Sequence, residues 1–200
     1  MAVNLVKGQK IDLTKGNAGL NQIMVGLGWD PVTASQGLLK GLFGGAPKSV
    51  DCDASVIMLG ANNNLQNTKD IVYFGNLTHD SRSVRHMGDN LTGDGAGDDE
   101  QIFIELKSIP NYIERLIFVV NIYDCLARKQ DFGMIKNAYI RIIDMNSKNE
   151  LARFNLTENY SGSTALEVGE VYRHNGEWKF AALGNGTHDV SLKDMISKYV

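Results

Sequence analysis

Apolar and polar residues alternate along much of this 200-residue chain, and this alternation constrains the fold more than any other feature. It is clearest in two stretches, one with Ile102, Ile104 and Leu106 and the other with Ala152 and Phe154. Because successive side chains of a β-strand point to opposite faces, a period of two places one face on a core and the other in water. These stretches therefore predict half-buried β-strands.

Other segments are continuous apolar runs that end at Gly, Asn or Asp, a pattern typical of central strands. They lie at residues 22–29, 55–61, 71–74, 116–123 and 139–143. Together with the alternating stretches they make about ten short strands separated by turn signals, and no linker divides the chain. We therefore predict one domain over residues 1–200, an all-β antiparallel β-sandwich with minor short helices.

Turn and cap residues add detail to this prediction. The dipeptide Asn175-Gly176 lies between two strand patterns and indicates a hairpin with a tight primed turn. Two short helices are predicted, one at residues 111–116 and one over residues 191–200, where Ser191 is the expected N-cap.

Charge and hydropathy exclude several classes of protein. A formal net charge of −3 gives no general attraction to nucleic acid or acidic lipid. Residues 1–10 lack the apolar core of a signal peptide, and no run approaches the ~18–20 apolar residues of a membrane span. Cys52 and Cys125 fit unpaired buried thiols in a reducing compartment. We expect a cytoplasmic protein that neither spans a membrane nor binds nucleic acid.

One glycine-rich segment departs from the strand pattern. Residues 36–46 carry four large apolar side chains, Leu38, Leu39, Leu42 and Phe43. Two interpretations remain open. The segment is either a surface loop whose apolar residues pack back onto the domain, or an exposed tip that meets a partner or a membrane surface.

The stretch GDNLTGDGAGDDE at residues 88–100 has the strongest chemical signal. It crowds five carboxylates into twelve residues and interleaves them with glycine. Crowded carboxylates repel one another, and a hard cation such as Ca²⁺, which takes about six to eight oxygen ligands, relieves that repulsion. The candidate ligands here are Asp89, Asn90, Thr92, Asp94, Asp98, Asp99 and Glu100.

Other interpretations of this stretch fit its residues less well. An EF-hand does not fit, because Leu91 and Gly93 occupy positions where that loop needs oxygen ligands. A calcium β-roll requires tandem repeats, and the chain has one copy. Ligands that are oxygen only disfavour zinc, copper and iron. A solvated acidic turn is the remaining alternative, but it would not need this density of charge.

Seven blocks along almost the whole chain follow the pattern of one known family. They are LVKGQKIDLTK (5–15), VGLGWDP (25–31), DCDAS (51–55), GDNLTGDGAGDDE (88–100), QDFGMIKNAYIRIID (130–144), ARFNLTEN (152–159) and GEVYRHNGEWKFAALG (169–184). In these blocks the chain resembles the TerD family of tellurite-resistance and general-stress proteins. The resemblance implies a calcium-binding β-sandwich.

The resemblance also extends the metal site to neighbouring strand ends. It implies ligands at Asp30, Asp51 and Asp53, with Asn76 and Asp80 as further candidates. Asp51 and Asp53 are two residues apart in a predicted strand, so both point to one face, where two carboxylates can share an ion. We expect Ca²⁺ as the cofactor, with two ions bound.

The expected function is that of a non-enzymatic, calcium-dependent interaction module in stress response and tellurium resistance. Its expected partners are other tellurite-resistance family proteins, in a membrane-associated complex with a TerC-like protein, as the resemblance implies. Catalytic patterns are sparse: the four histidines are scattered and no serine lies in a nucleophile-elbow motif. The alternative is a metal-dependent hydrolase that uses the acidic cluster.

Overall fold

The computed structural model describes residues 2–32, 50–88 and 97–200. It contains two mostly antiparallel six-stranded sheets, with about 48% strand and 14% helix, which confirms the predicted β-sandwich with minor helices. Some predicted features lie outside the described residues: the apolar segment 36–46 and the ligands Asp89, Asn90, Thr92 and Asp94.

The strands are numbered in chain order. The first sheet has the spatial order β1 (Val3–Leu5), β10 (Glu150–Asn155), β9 (Ile135–Asp144), β3 (Gln22–Pro31), β7 (Glu100–Glu105) and β6 (Val84–His86). The second has the order β2 (Lys10–Asp12), β12 (Glu177–Thr187), β11 (Ala165–His174), β8 (Arg115–Ile122), β4 (Cys52–Leu59) and β5 (Ile71–Val72). The pair β1–β10 is parallel, and the other described strand pairs are antiparallel.

Helices are few and short. The α-helices are α1 (Cys125–Arg128) and α2 (Leu192–Ile196). Single turns of 3-10 helix lie at Ala61–Asn63, Thr68–Asp70, Leu106–Ser108, Phe132–Met134 and Ser197–Tyr199. Among the described residues, no helix is long and apolar enough to cross a membrane.

The predicted hairpin and the predicted C-terminal helix are both confirmed. Between β11 and β12, Asn175 and Gly176 have φ angles of 54° and 80°, the left-handed values that a primed turn requires. Before α2, the Ser191 hydroxyl accepts a hydrogen bond of 3.2 Å from the backbone N–H of Asp194, as an N-cap does.

The predicted helix at residues 111–116 is wrong. β8 begins at Arg115, which is paired with Leu59 of β4 on one side and with Tyr172 of β11 on the other. A helix of a few residues is unstable alone, whereas a strand between two neighbours satisfies its backbone along its whole length. Strand pairing therefore extends to the start of β8 and prevents the helix.

Two apolar clusters explain the continuous apolar runs. The main core lies between the sheets and receives Cys52, Ala54, Val56 and Met58 of β4. An outer cluster covers the opposite face of the second sheet and consists of Ile57, Leu59, Leu65, Ile71, Ile117, Val119, Ala165 and Met195. Because β4 and β8 contribute to both, they are buried on both faces and lack alternation. Cys52 and Cys125 are free and buried, as predicted.

Candidate metal centre

Four of the predicted ligands lie around one buried thiol, that of Cys52. Burial raises the pKa of this thiol well above its ordinary value of 9.0, and nearby carboxylates raise it further; they are Asp53, Asp51, Glu100 and Asp99. The first two lie at the start of β4 in the second sheet, and the last two lie at the start of β7 in the first sheet. The starts of β4 and β7 therefore lie next to each other, and both carry carboxylates.

Glu100 connects the two sheets. Its side chain is buried, and Oε2 accepts a hydrogen bond of 3.0 Å from the backbone N–H of Ala54 in β4. The neighbouring strand β5 is only two residues long and pairs with Val56 and Ile57, so it ends before it reaches Ala54. The carboxylate of Glu100 thus takes the place of a missing strand at this edge.

His86 completes this connection from β6. Its Nε2 lies 2.9 Å from Oε2 of Glu100 and 3.1 Å from the carbonyl oxygen of Ala54. Both neighbours are hydrogen-bond acceptors, so Nε2 carries a proton and donates. On the other side of the ring, Nδ1 accepts a hydrogen bond of 3.2 Å from the backbone N–H of Gly88. These contacts place the ring proton of His86 on Nε2, and the imidazole holds the Glu100 carboxylate in position.

Asp98 has both carboxylate oxygens bound by protein donors. Arg141 of β9 donates from Nε to Oδ1 at 2.7 Å and from Nη2 to Oδ2 at 2.9 Å, and the Tyr139 hydroxyl donates to Oδ1 at 3.0 Å. Burial, followed by the charge of Asp98, raises the pKa of Tyr139 to about 12. This bidentate pair anchors the end of the acidic stretch to the first sheet.

Asp99 is held by the backbone of β3. Its Oδ2 accepts a hydrogen bond of 2.7 Å from the N–H of Trp29, and its own N–H donates to the carbonyl of Leu27 at 2.8 Å. The strand has a register shift between Gly28 and Asp30 at this point. That irregularity leaves the N–H of Trp29 available to a side chain.

Asp51 and Asp53 differ in their surroundings, although both are buried. Oδ2 of Asp51 lies 3.2 Å from Nη1 of Arg128 in α1. Its Oδ1 is buried and has no hydrogen-bond partner in the described part of the chain. Because β4 is extended from Cys52 onward, Asp53 lies on the face opposite Cys52, which is the face of Ser55 and the outer cluster.

The other described candidates have local partners. Asp30, near the end of β3, accepts a hydrogen bond of 2.7 Å from the Asn137 side chain. Asn76 donates to the carbonyl of Ile71 at 2.7 Å, within the turn that follows β5. Asp80 is exposed, and its carboxylate pairs with Lys69 at 3.2 Å. These contacts do not include the four carboxylates around Cys52.

The described residues fit part of a calcium site. Among residues 2–32, 50–88 and 97–200, no three side chains of His, Cys, Asp or Glu lie close enough together to hold a metal ion by themselves. Ca²⁺ requires about six to eight oxygens, so further ligands would have to come from elsewhere in the chain or from water. The oxygen donors and the unpaired Oδ1 of Asp51 suit a hard cation.

A second buried polar cluster links the connection between β5 and β6 to Asp70, which precedes β5. His79 Nε2 is 3.0 Å from Oδ1 of Asp70, and His79 Nδ1 is 2.7 Å from the hydroxyl of Ser81. Ser81 in turn contacts the hydroxyl of Ser83 at 2.7 Å, and Tyr112 donates to Asp70 at 2.9 Å. An Asp-His-Ser order is also found in hydrolases, but here the contacts close a tight turn, since the N–H of residue 82 donates to the carbonyl of His79.

The sequence did not predict the basic residues that hold the acidic ones. Arg141 has the pattern of an ordinary polar residue in a strand. Arg128 lies in a helix of one turn that has no side-chain N-cap, so the sequence does not predict that helix. His86 is one of the four scattered histidines, and nothing in the sequence around it indicates a contact with Glu100. Their roles depend on pairings between distant segments, which local patterns do not reveal.

The chain is similar over almost its whole length to proteins of one family. The TerD domain profile matches residues 1–199. Stress response protein SCP2 of Bacillus subtilis (strain 168) is 56% identical over 200 residues, which is 100% of both chains. Tellurium resistance protein TerD of Serratia marcescens is 41% identical over 186 residues, which is 93% of this chain and 91% of that protein.

A solved structure supports the same fold. The crystal structure of a telluride resistance protein (TerD) homologue from Streptomyces coelicolor A3(2) matches with a TM-score of 0.65 and 20% identity. The match covers 88% of this chain and 95% of that one. At this identity the likeness shows the fold alone.

Proposed function

Because the chain belongs to the TerD domain family of stress-response and tellurium-resistance proteins, we propose that it is a calcium-binding, non-enzymatic protein of that response. The observation that carries the proposal is the contact between the starts of β4 and β7, where Glu100 accepts from the backbone of Ala54 and where Asp51, Asp53 and Asp99 also lie. Unbalanced negative charge in one place is unfavourable, and a bound divalent cation would neutralise it.

The anchors of the acidic stretch support this assignment. At its start, Gly88 donates its N–H to His86. At its end, the Tyr139 hydroxyl donates to the carbonyl of Gly97 at 2.7 Å, and Arg141 holds Asp98. Gly88 and Gly97, which flank residues 89–96 in sequence, are therefore both held on the sandwich. In our proposal this segment supplies the ligands that the described carboxylates lack.

The proposed ligands divide into two groups. The first group comes from the described residues and consists of Asp51, Asp53, Asp99 and Glu100, together with Asp30 near the end of β3. Asp89, Asn90, Thr92 and Asp94 come from the acidic segment. Asp98 has a different role in this proposal, because Arg141 and Tyr139 already use both of its oxygens. We retain two Ca²⁺ ions as the proposed stoichiometry.

Isothermal titration of metal-free protein with Ca²⁺ tests the site. Glu100→Gln should weaken Ca²⁺ binding about 10-fold or more, because a carboxylate ligand becomes a neutral amide. The control is Glu105→Gln, which makes the same change at the other end of β7, where Glu105 contacts Asn21 at 3.3 Å. Its affinity should match that of the parent protein. Equal affinity of both variants and the parent would remove Glu100 from the site.

The proposed action of bound calcium is on association. We infer that the ion completes a surface recognised by other tellurium-resistance proteins, in the cytoplasm and next to a TerC-like membrane protein. Capture of purified family members by this chain should require Ca²⁺ and fail with chelator or with Glu100→Gln. Capture that is indifferent to both changes would contradict the interaction proposal and leave the metal site standing.

The non-enzymatic part of the proposal is supported by the names of the relatives, which refer to stress response and tellurium resistance and to no reaction. Assays of calcium-loaded protein on generic phosphoesters and carboxylic esters should show no turnover. Turnover abolished by His79→Gln would instead identify the Asp70–His79–Ser81 cluster as a hydrolase site.

A further inference from the structure

A separate cavity of about 380 Å³ opens on the outer face of the second sheet, beside the outer cluster. Asp53 and Ser55 of β4 and Asn121 of β8 line its inner part. Asp53 and Asn121 are paired residues on adjacent strands. The volume lies within the range of small-molecule sites, about 300–1,000 Å³.

Two polar atoms in this cavity are buried without a partner. The hydroxyl oxygen of Ser55 and Oδ1 of Asn121 have no hydrogen-bond partner in the described part of the chain, and these residues are only 1% and 6% exposed. A buried polar atom that is left unpaired is unfavourable, so such atoms are uncommon in folded proteins. Both residues line the cavity, so a ligand with N–H or O–H donors at its inner wall would complete their bonds.

The charges around the cavity favour a cation. Asp53 and Asp124 line it with two carboxylates, and Lys193 contributes one positive charge. The nearby Asp51 is already paired with Arg128. The formal charge of the lining is therefore negative, and a cationic group would reduce it.

Aromatic side chains form the outer part of the cavity. Tyr73 and Phe74 meet edge to face, with ring centroids 5.3 Å apart and planes at 78°. Phe74 and Tyr123 are each about half exposed. The face of an aromatic ring attracts an organic cation, and its apolar surface packs against methylene groups.

We propose that this cavity binds an alkylammonium group, the chemical group shared by free diamines and by lysine side chains. Its N–H groups donate to Asn121 Oδ1 and to the Ser55 hydroxyl, while its carbon chain lies against Tyr73 and Phe74. A bare metal ion fits less well, because Ca²⁺ needs oxygens converging at about 2.3–2.6 Å rather than a large cavity with aromatic walls. Asp53 lines the cavity and is also a proposed calcium ligand, whereas Ser55 and Asn121 belong to the cavity alone.

The test uses the full chain saturated with Ca²⁺ and followed by ¹H–¹⁵N NMR. The probes are n-butylamine, 1,5-diaminopentane and Nα-acetyl-lysine N-methylamide, with 1-butanol as the neutral match of n-butylamine. We expect the amines to shift the signals of Ser55 and the Asn121 side-chain amide, with a Kd of about 1 mM or lower for the best probe. Tighter binding of the diamine would identify a free amine as the ligand, and tighter binding of the lysine derivative would identify a peptide lysine.

Variants separate binding from folding. Ser55→Ala and Asn121→Leu should each weaken amine binding about 10-fold, while the melting temperature stays the same or rises because an unpaired polar atom is removed. Phe74→Ala should also weaken binding. The control is Leu126→Ala, in α1, which removes an exposed apolar side chain that does not line this cavity.

Several results would overturn the proposal. They are the absence of amine-induced shifts, equal binding of 1-butanol and n-butylamine, and unchanged amine binding in both Ser55→Ala and Asn121→Leu. A loss of Ca²⁺ affinity in Asn121→Leu would also overturn it, since the amide would then belong to a metal site. Glu100→Gln should weaken Ca²⁺ and spare the amine, so failure of the calcium proposal is distinguishable from failure of this one.

Discussion

At the scale of single residues, Asp98 depends on a glycine beneath it. A Cβ at Gly26 of β3 would lie 2.4 Å from the Asp98 carboxylate, closer than real atoms approach. Because Gly26 has no side chain, the Asp98 carboxylate can lie against the sheet and accept hydrogen bonds from Nε and Nη2 of Arg141. The VGLGW sequence thus has a steric function that its apolar character did not reveal.

We predict that Gly26→Ala destabilises the fold by about 1–3 kcal/mol, because the new methyl group displaces a buried, charge-paired carboxylate. The measurement is urea unfolding of metal-free protein. Gly19→Ala is the matched control, since the nearest atom to its added Cβ is 3.9 Å away, and it should change stability little. If both variants unfold at the same urea concentration, the close packing of Asp98 on Gly26 does not contribute to stability.

At the scale of elements, the C-terminal segment is docked by contacts at both of its ends. α2 is capped by Ser191 and buries Met195 in the outer cluster. Beyond it, the Tyr199 hydroxyl donates to Glu167 at 2.9 Å. Asp189, just before α2, pairs with Lys198 just after it. Through these contacts, α2 and the residues after it pack on the outer face of the second sheet.

The pH dependence of this docking follows from Asp189. Burial alone would raise the pKa of its carboxyl, but hydrogen bonds from Lys198 and Thr187 outweigh burial and lower it below the ordinary value of 3.8. A carboxyl with a lowered folded-state pKa contributes stability that is present above its unfolded value and lost as the pH falls through the folded value. The contribution of Asp189 is therefore complete at neutral pH and disappears in the acid range.

We predict that Asp189→Asn is less stable than the parent chain at pH 6, and that the difference shrinks as the pH is lowered below 3.8. Thermal unfolding across this range measures it. Glu158→Gln is the control, because Glu158 pairs with Lys7 on the exposed surface, where an ion pair contributes little. A difference that is constant with pH would show that the Asp189 contacts stabilise through packing and not through charge.

At the scale of the whole molecule, the carboxylates of β4 and β7 link both sheets to the proposed ion. A ligand that binds only the folded state adds RT ln(1 + [L]/Kd), about 2.7 kcal/mol at a hundredfold excess over Kd. We predict that Ca²⁺ raises the melting temperature of verified metal-free protein. Mg²⁺ should raise it less, because it is reluctant to lose water and prefers strict octahedral geometry. A melting temperature that does not change over a wide range of Ca²⁺ concentration would contradict the calcium proposal.

Local patterns were sufficient for the strands, the hairpin and the capped C-terminal helix. Side-chain period, turn dipeptides and caps act over a few residues, so a short window contains their cause. The acidic stretch is also a local signal, because charge density within twelve residues is visible in the sequence. The helix expected at residues 111–116 failed, since strand pairing with β4 and β11 is not encoded nearby.

Only the tertiary structure decided which carboxylates have partners. Asp98 and Asp99 are adjacent and look equivalent in sequence, yet Asp98 binds Arg141 across the first sheet while Asp99 accepts from the backbone of β3. Glu100 reaches Ala54 of the other sheet because β5 ends early and leaves that backbone open. The residue types therefore predict that the candidate ligands are oxygen atoms. The position of each oxygen depends on how the two sheets pack, because that packing is made by contacts between residues far apart in the chain.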